Sequence, residues 1–337
     1  MAELSAILHH LSIPMRTDFR NAQVTVGIRD IGLIKITSDG LAGWGEASPF
    51  PGQDESMEDL VASVESDSVS PVLAAGISQA RVDLNARMRG ESLASTIGAT
   101  RTHLPQSLAV GLDTDPVAVV RAAIDQHVAR FKLKVAPGEV DHVLQIRENH
   151  PECVLGVDAN GSFDEDSIGE LSRLADLAIV YVEQPCDLGN DRALRLLKEA
   201  IDVPVFADES VRSPTDAAEH LISPMIDGVV VKPGRLGWEG ALETIGVAEA
   251  LGKRWRASGL LESGIGRAFT NLLAAIPTAF ASDVAPADWY LEKDVVHQSV
   301  VDGEIELPSG PGIGMDPEPG AIGRYLVATY DLTEIVS

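Results

Sequence analysis

Cysteine is scarce in this 337-residue chain, which holds only Cys153 and Cys186. Two isolated thiols build no disulfide scaffold, and they lack the spacing of a cysteine-based metal site. Basic residues are also in short supply: 26 Lys and Arg face 51 Asp and Glu, a formal net charge of −25. Such a surface repels phosphate backbones, which argues against nucleic acid as a partner, and solubility is the simplest account of the acidity. No apolar run reaches the roughly 18 residues of a membrane span. The stretch from Leu272 to Phe280 is broken by Pro277 and Thr278. The opening MAELSAILHHLSIP has no basic segment ahead of an apolar core. No secretory leader is therefore expected, and a reducing cytoplasm suits the thiols.

What the chain does have is alternation. Eight mostly apolar runs, at 106–112, 130–136, 153–159, 179–184, 204–209, 227–233, 254–263 and 280–286, read as strands buried on both faces. Helix-length segments separate them. Ile168, Leu171 and Leu174 recur three apart, Ser213-Pro214 reads as a cap followed by proline at the first helical position, and Trp238 to Leu251 repeats a helical pattern. Eight such units predict a (β/α)8 TIM-type barrel over 96–290, with a doubly wound sheet as the structural alternative. Residues 1–95 mix meander-like strands with two helices, an α+β capping domain. The Gly- and Pro-rich tail, 291–337, is expected to pack back on it.

Charged residues punctuate the barrel at a steady beat. Lys134, Asp158, Glu183, Asp208 and Lys232 are 24 or 25 residues apart, and each closes an apolar run. One strand-plus-helix unit has that length, so the five are expected at one end of one barrel. A single Asp or Glu at a strand end is most often a turn former or cap. Three in phase would repel one another, and a divalent cation relieves them. An all-oxygen set without His or Cys suits Mg²⁺ or Mn²⁺. Lys132 and Lys134 lie two apart on one strand face. Alone they read as solvated surface lysines; in a barrel strand they must sit at the mouth, where burial would lower their pKa and make a base. Lys232, four strands away, faces them across the ring.

The set KLK (132–134), VDAN (157–160), VEQP (182–185), ADES (207–210) and VKPGRLG (231–237) resembles the enolase superfamily in its muconate-lactonising subgroup. GWGEASP at 43–49 is similar to that family's capping domain, so the resemblance spans nearly the whole chain. It implies Asp158, Glu183 and Asp208 as metal ligands and Lys134 as the acid/base lysine, with Lys132 its neighbour and Lys232 the lysine on the other face. Asn160 and Glu209 match positions that support the ligands. LLESGIGRA (260–268) matches the segment of barrel strand seven, and Glu262, Ser263 and Gly264 are expected near the substrate. Backbone N–H groups of Ser263 and Gly264 at a helix start would meet its carboxylate, although a plain turn and cap reads equally well.

Within the subgroup, IPMRTDFR (13–20), VEQPC and ADESVR are similar to o-succinylbenzoate synthases. That implies a lyase acting on a small carboxylate, dehydrating a cyclohexadiene carboxylate in menaquinone biosynthesis through a metal-stabilised enediolate. Lys-Pro-Gly-Arg at 232–235 is more like the branch that racemises N-succinylamino acids, so a racemase, epimerase or cycloisomerase is the alternative. Arg16 and Phe19 in the first loop, with Phe50, are expected either as a lid over the site or as interface core. A homo-oligomer is compatible with all of this.

Overall fold

A computed structural model describes residues 4–53, 55–66, 68–112 and 115–337. The alternating N-terminal segments form a four-stranded antiparallel sheet, in the order Leu326–Asp331, Ser5–Arg20, Thr25–Ser38, Leu41–Ala47. The tail strand thus pairs with the first strand of the chain. The helix Pro71–Arg89 lies on this sheet; it starts at the Ser70 cap with proline next and stops at Gly90 in the left-handed region (φ 67°). It lies flush because Gly43 and Gly45 face it. A Cβ on Gly45 would stand 2.2 Å from the Gly76 carbonyl oxygen.

Seven parallel strands follow in sequential order: Ser107–Val110, Arg130–Lys134, Val154–Asp158, Val182–Glu183, Val205–Ala207, Gly228–Val231 and Arg254–Ala257. They are barrel strands one to seven below. The eighth expected strand is not one. Residues 280–284 are irregular, yet they close the ring by bonding both edges. The Phe280 and Asp283 N–H groups donate to Trp255 O and Ala257 O (both 2.9 Å), and the Ser107 N–H donates to Val284 O (2.7 Å). The ladder is interrupted because the Ala257 N–H goes to Ser282 Oγ (3.0 Å) instead of a carbonyl.

Two helical expectations are refined. Ile168–Leu174 is a 3₁₀ helix, whose three-residue turn puts Ile168, Leu171 and Leu174 on one line, all buried. The helix expected from Trp238 begins at Pro233 and is broken at Gly237 (φ 71°, ψ 178°). No helix among the described residues is long and apolar enough to cross a membrane.

Candidate active site

Strand register assembles the charged beat. Lys134 on strand two is the ladder partner of Asp158 on strand three, and Asp158 is the partner of Glu183 on strand four. Asp208 and Lys232 directly follow strands five and six. One strand-plus-helix length per residue therefore stacks them side by side around the strand ends.

Asp158, Glu183 and Asp208 each offer an oxygen, and these atoms lie within 4.8 Å of one another. All three side chains are buried. Burial and the neighbouring Asp158 and Asp208 push the Glu183 carboxyl well above its usual range, against the pull of Lys132. Asp158 goes the other way, because Lys134 and Lys132 overcome its burial. Three carboxylates this close do not all ionise freely on their own. Asp208 Oδ1 is buried without a hydrogen-bond partner among the described residues, with Arg235 Nη1 3.6 Å away. An orphaned acceptor in an all-oxygen cluster fits a hard divalent cation, so the triad can hold a metal ion.

Three lysines surround the cluster. Lys134 Nζ donates to Asp158 Oδ2 (2.6 Å) and Asn160 Oδ1 (2.8 Å). Lys232 Nζ donates to Asp208 Oδ2 (2.7 Å). Lys132 Nζ lies 2.9 Å from both Glu183 Oε1 and Asp283 Oδ2, and 3.2 Å from Asp158 Oδ2. The expected fall in lysine pKa does not hold at Lys132. Burial does lower it, but Asp283, Glu183 and Asp158 together outweigh burial and hold the ammonium well above its ordinary value.

The lysines line a cleft that is partly open to solvent. Phe19 and Phe50 form part of its wall, with Leu260, Leu261 and Tyr290. Asn160, in a left-handed conformation (φ 46°), turns its own N–H onto Asp158 Oδ1 (3.0 Å) and its amide onto Glu209 Oε1. Burial and Asp208 push Glu209 up to about 7. Gln53 ties the N-terminal sheet to this cluster: its Nε2 donates to Glu209 Oε1 (3.2 Å) and its Oε1 accepts from Arg235 Nη2 (2.8 Å).

Four residues expected to contact the substrate have other surroundings in the structure. The Ser263 N–H donates to Glu46 Oε1 (3.1 Å), and the Gly264 N–H donates to Asp294 Oδ1 (2.9 Å). The helix start at Gly264–Ala274 is real, but the chain's own carboxylates already occupy its donors. Glu262 is buried, and neither of its oxygens has a hydrogen-bond partner among the described residues. It lies outside the residues that line the cleft. Arg16 is exposed, and its Nε donates to Leu291 O (3.1 Å), away from the cleft.

Two residues belong here that the sequence reading passed over. Arg256 on strand seven is fully buried; it donates to Glu183 Oε2, Asp283 Oδ1 and the Tyr181 hydroxyl (2.7 Å) and stacks 3.7 Å from the Tyr181 ring centre. Asp283 links it to Lys132, and although burial opposes ionisation, Arg256 and Lys132 bring the Asp283 pKa down to about 2. The available signal was an arginine in a strand otherwise covered on both faces, which requires an anionic partner inside.

The family model described as enolase C-terminal domain-like matches residues 115–321. An N-succinylamino acid racemase from Amycolatopsis is 28% identical, over 95% of this chain and 96% of its own length. An o-succinylbenzoate synthase from Bacillus subtilis is 27% identical, over 97% of each. The crystal structure of muconate cycloisomerase from Pseudomonas fluorescens superposes with a TM-score of 0.85 at 20% identity, over 97% of this chain and 100% of that one, a likeness of fold. The match of the family model over more than half the chain, together with a metal-capable triad on successive strand ends of a TIM-type barrel, makes this chain a member of the enolase superfamily.

Proposed function

We propose that this chain is a Mg²⁺-dependent lyase that dehydrates a cyclohexadiene carboxylate to o-succinylbenzoate, a step of menaquinone biosynthesis. In this reading residues 96–290 are the catalytic barrel, and residues 1–95 with the tail from 291 are its cap. The observation that carries it is the placement of Lys134 and Lys232, which line one cleft from strands two and six, each paired with a carboxylate of the triad. Asp158, Glu183 and Asp208 would hold Mg²⁺ or Mn²⁺. When bound, the cation supplies positive charge for the substrate carboxylate and for the negative charge that develops on it.

Lys134 Nζ takes the proton from the carbon next to the carboxylate. It returns that proton to the hydroxyl leaving the neighbouring carbon, so water departs and the ring becomes aromatic. Asn160 and Asp158 keep the lysine aimed, since both bond its Nζ. Lys232 sits on the opposite side, held by Asp208. Lys132, fixed by three carboxylates, contributes positive charge and is no base. Phe19 and Phe50 exclude water from the cleft wall.

The second reading, an N-succinylamino acid racemase, is favoured by the same opposed lysines, because inversion needs one base on each face. Arg235 beside Lys232 and the racemase relatives support it equally. Assays in deuterated water separate the two. Formation of o-succinylbenzoate without inversion of N-succinylamino acids supports the lyase. Inversion with deuterium incorporation, and no aromatic product, replaces it with the racemase.

A further inference from the structure

The cleft carries a cation that neither the triad nor the lysines account for. Arg267, on the helix Gly264–Ala274, lines the cleft while remaining 4% exposed. Its Nε is buried and has no hydrogen-bond partner among the described residues. The acid that balances it is Glu262, but Glu262 Oε2 stops 4.0 Å from Nη2, beyond hydrogen-bond reach. The charge is therefore neutralised while the guanidinium donors stay open. The side chain is also held in place. Its guanidinium carbon sits 5.2 Å from the centre of the Tyr290 ring. Tyr290 is itself pinned by the Ala109 N–H on its hydroxyl (2.8 Å) and by the edge of Phe19 (6.1 Å between ring centres).

A buried guanidinium with unmet donors is costly, and a planar fork of donors matches a carboxylate. We propose that Arg267 receives a second carboxylate of the substrate, making this cleft selective for dicarboxylates. The proposal rests on the reading of the lysine-flanked triad as the site of the first carboxylate. Between the two charged ends, Leu260, Leu261, Phe19 and Phe50 offer apolar wall to the body of the molecule. Glu262 keeps Arg267 compensated while the cleft is empty, and its failure to bond leaves the donors for the ligand.

The test is equilibrium binding of succinate and of butyrate to the Mg²⁺-loaded protein by calorimetry. Wild type should prefer the diacid by roughly 10- to 100-fold, the range of one charge-assisted contact. Arg267→Met should abolish that preference, and Arg267→Lys should restore part of it. Arg267→Met/Glu262→Gln removes the carboxylate left behind as well, and serves as the variant lacking the guanidinium where the single change unfolds. In turnover, the loss should raise KM and leave kcat little changed. Retention of the diacid preference by the folded double variant overturns the proposal. A wild type that selects the diacid yet turns over neither proposed substrate leaves Arg267 in its role and removes the assigned reaction instead.

Discussion

Lys134 Nζ stands 2.6 Å from Asp158 Oδ2, so the residue read as the proton acceptor is bonded to one wall of the metal cradle. The same oxygen is 3.2 Å from Lys132 Nζ. In the proposed mechanism acid/base chemistry and metal binding would share one carboxylate, and a change to either should be felt by the other.

Asp208→Asn keeps the shape of the cradle and removes a charge from it. Mg²⁺ affinity measured by calorimetry should fall by at least about tenfold, the scale seen when groups at a metal site are altered. Lys232, bonded to Asp208 Oδ2, loses its partner in the same variant. Unchanged affinity removes Asp208 from the ligand set.

Arg256→Met removes one of the two cations that Glu183 and Asp283 share, leaving them Lys132 alone inside the barrel. Breaking buried pairs of this kind costs about 3–5 kcal/mol, read as a lowered urea midpoint. Adding Asp283→Asn should recover part of the loss, since Lys132 then balances one carboxylate fewer.

Glu46→Gln tests a buried acid that bridges the N-terminal sheet and the start of the helix Gly264–Ala274. Burial pushes Glu46 up to about 7, against the hydrogen bonds from Ser263 and Ser48. With the folded pKa above the unfolded one, the native state holds the extra proton. Its contribution is complete below the unfolded value of 4.5 and is lost as pH rises through about 7. Between those limits wild type should lose roughly 3 kcal/mol more than Glu46→Gln in urea titrations. Parallel pH profiles for the two proteins would refute the assignment.

Gly156→Ala should destabilise by about 1–3 kcal/mol through overpacking. A Cβ there would stand 2.1 Å from Tyr181 Cζ, and Tyr181 supports Arg256 and Asp283 through its hydroxyl. The check is again the urea midpoint, with Mg²⁺ affinity as a second readout of the displaced tyrosine.

The barrel and its triad were legible because each of these charged side chains closes its own apolar run. Local spacing alone placed Asp158, Glu183 and Asp208 on neighbouring strands. Ser263 and Gly264 were read correctly as a helix start, but their donors are taken by Glu46 and Asp294, 217 and 30 residues away. No local pattern carries a partner at that distance. The irregular closure at 280–284 was missed for a related reason. FASDVAP has strand composition, yet Ser282 replaces a carbonyl in the ladder and Asp283 turns inward to Arg256. The pKa direction at Lys132 depended on Asp283 as well, an acid from the far end of the barrel.

The most direct test of the central claim is α-proton exchange into deuterated water, followed by NMR with the cyclohexadiene carboxylate and Mg²⁺. Wild type should exchange or eliminate, and Lys134→Ala should lose that activity by about 10²- to 10⁴-fold while still binding the metal. Exchange at the wild-type rate in Lys134→Ala, with metal bound, would contradict the account.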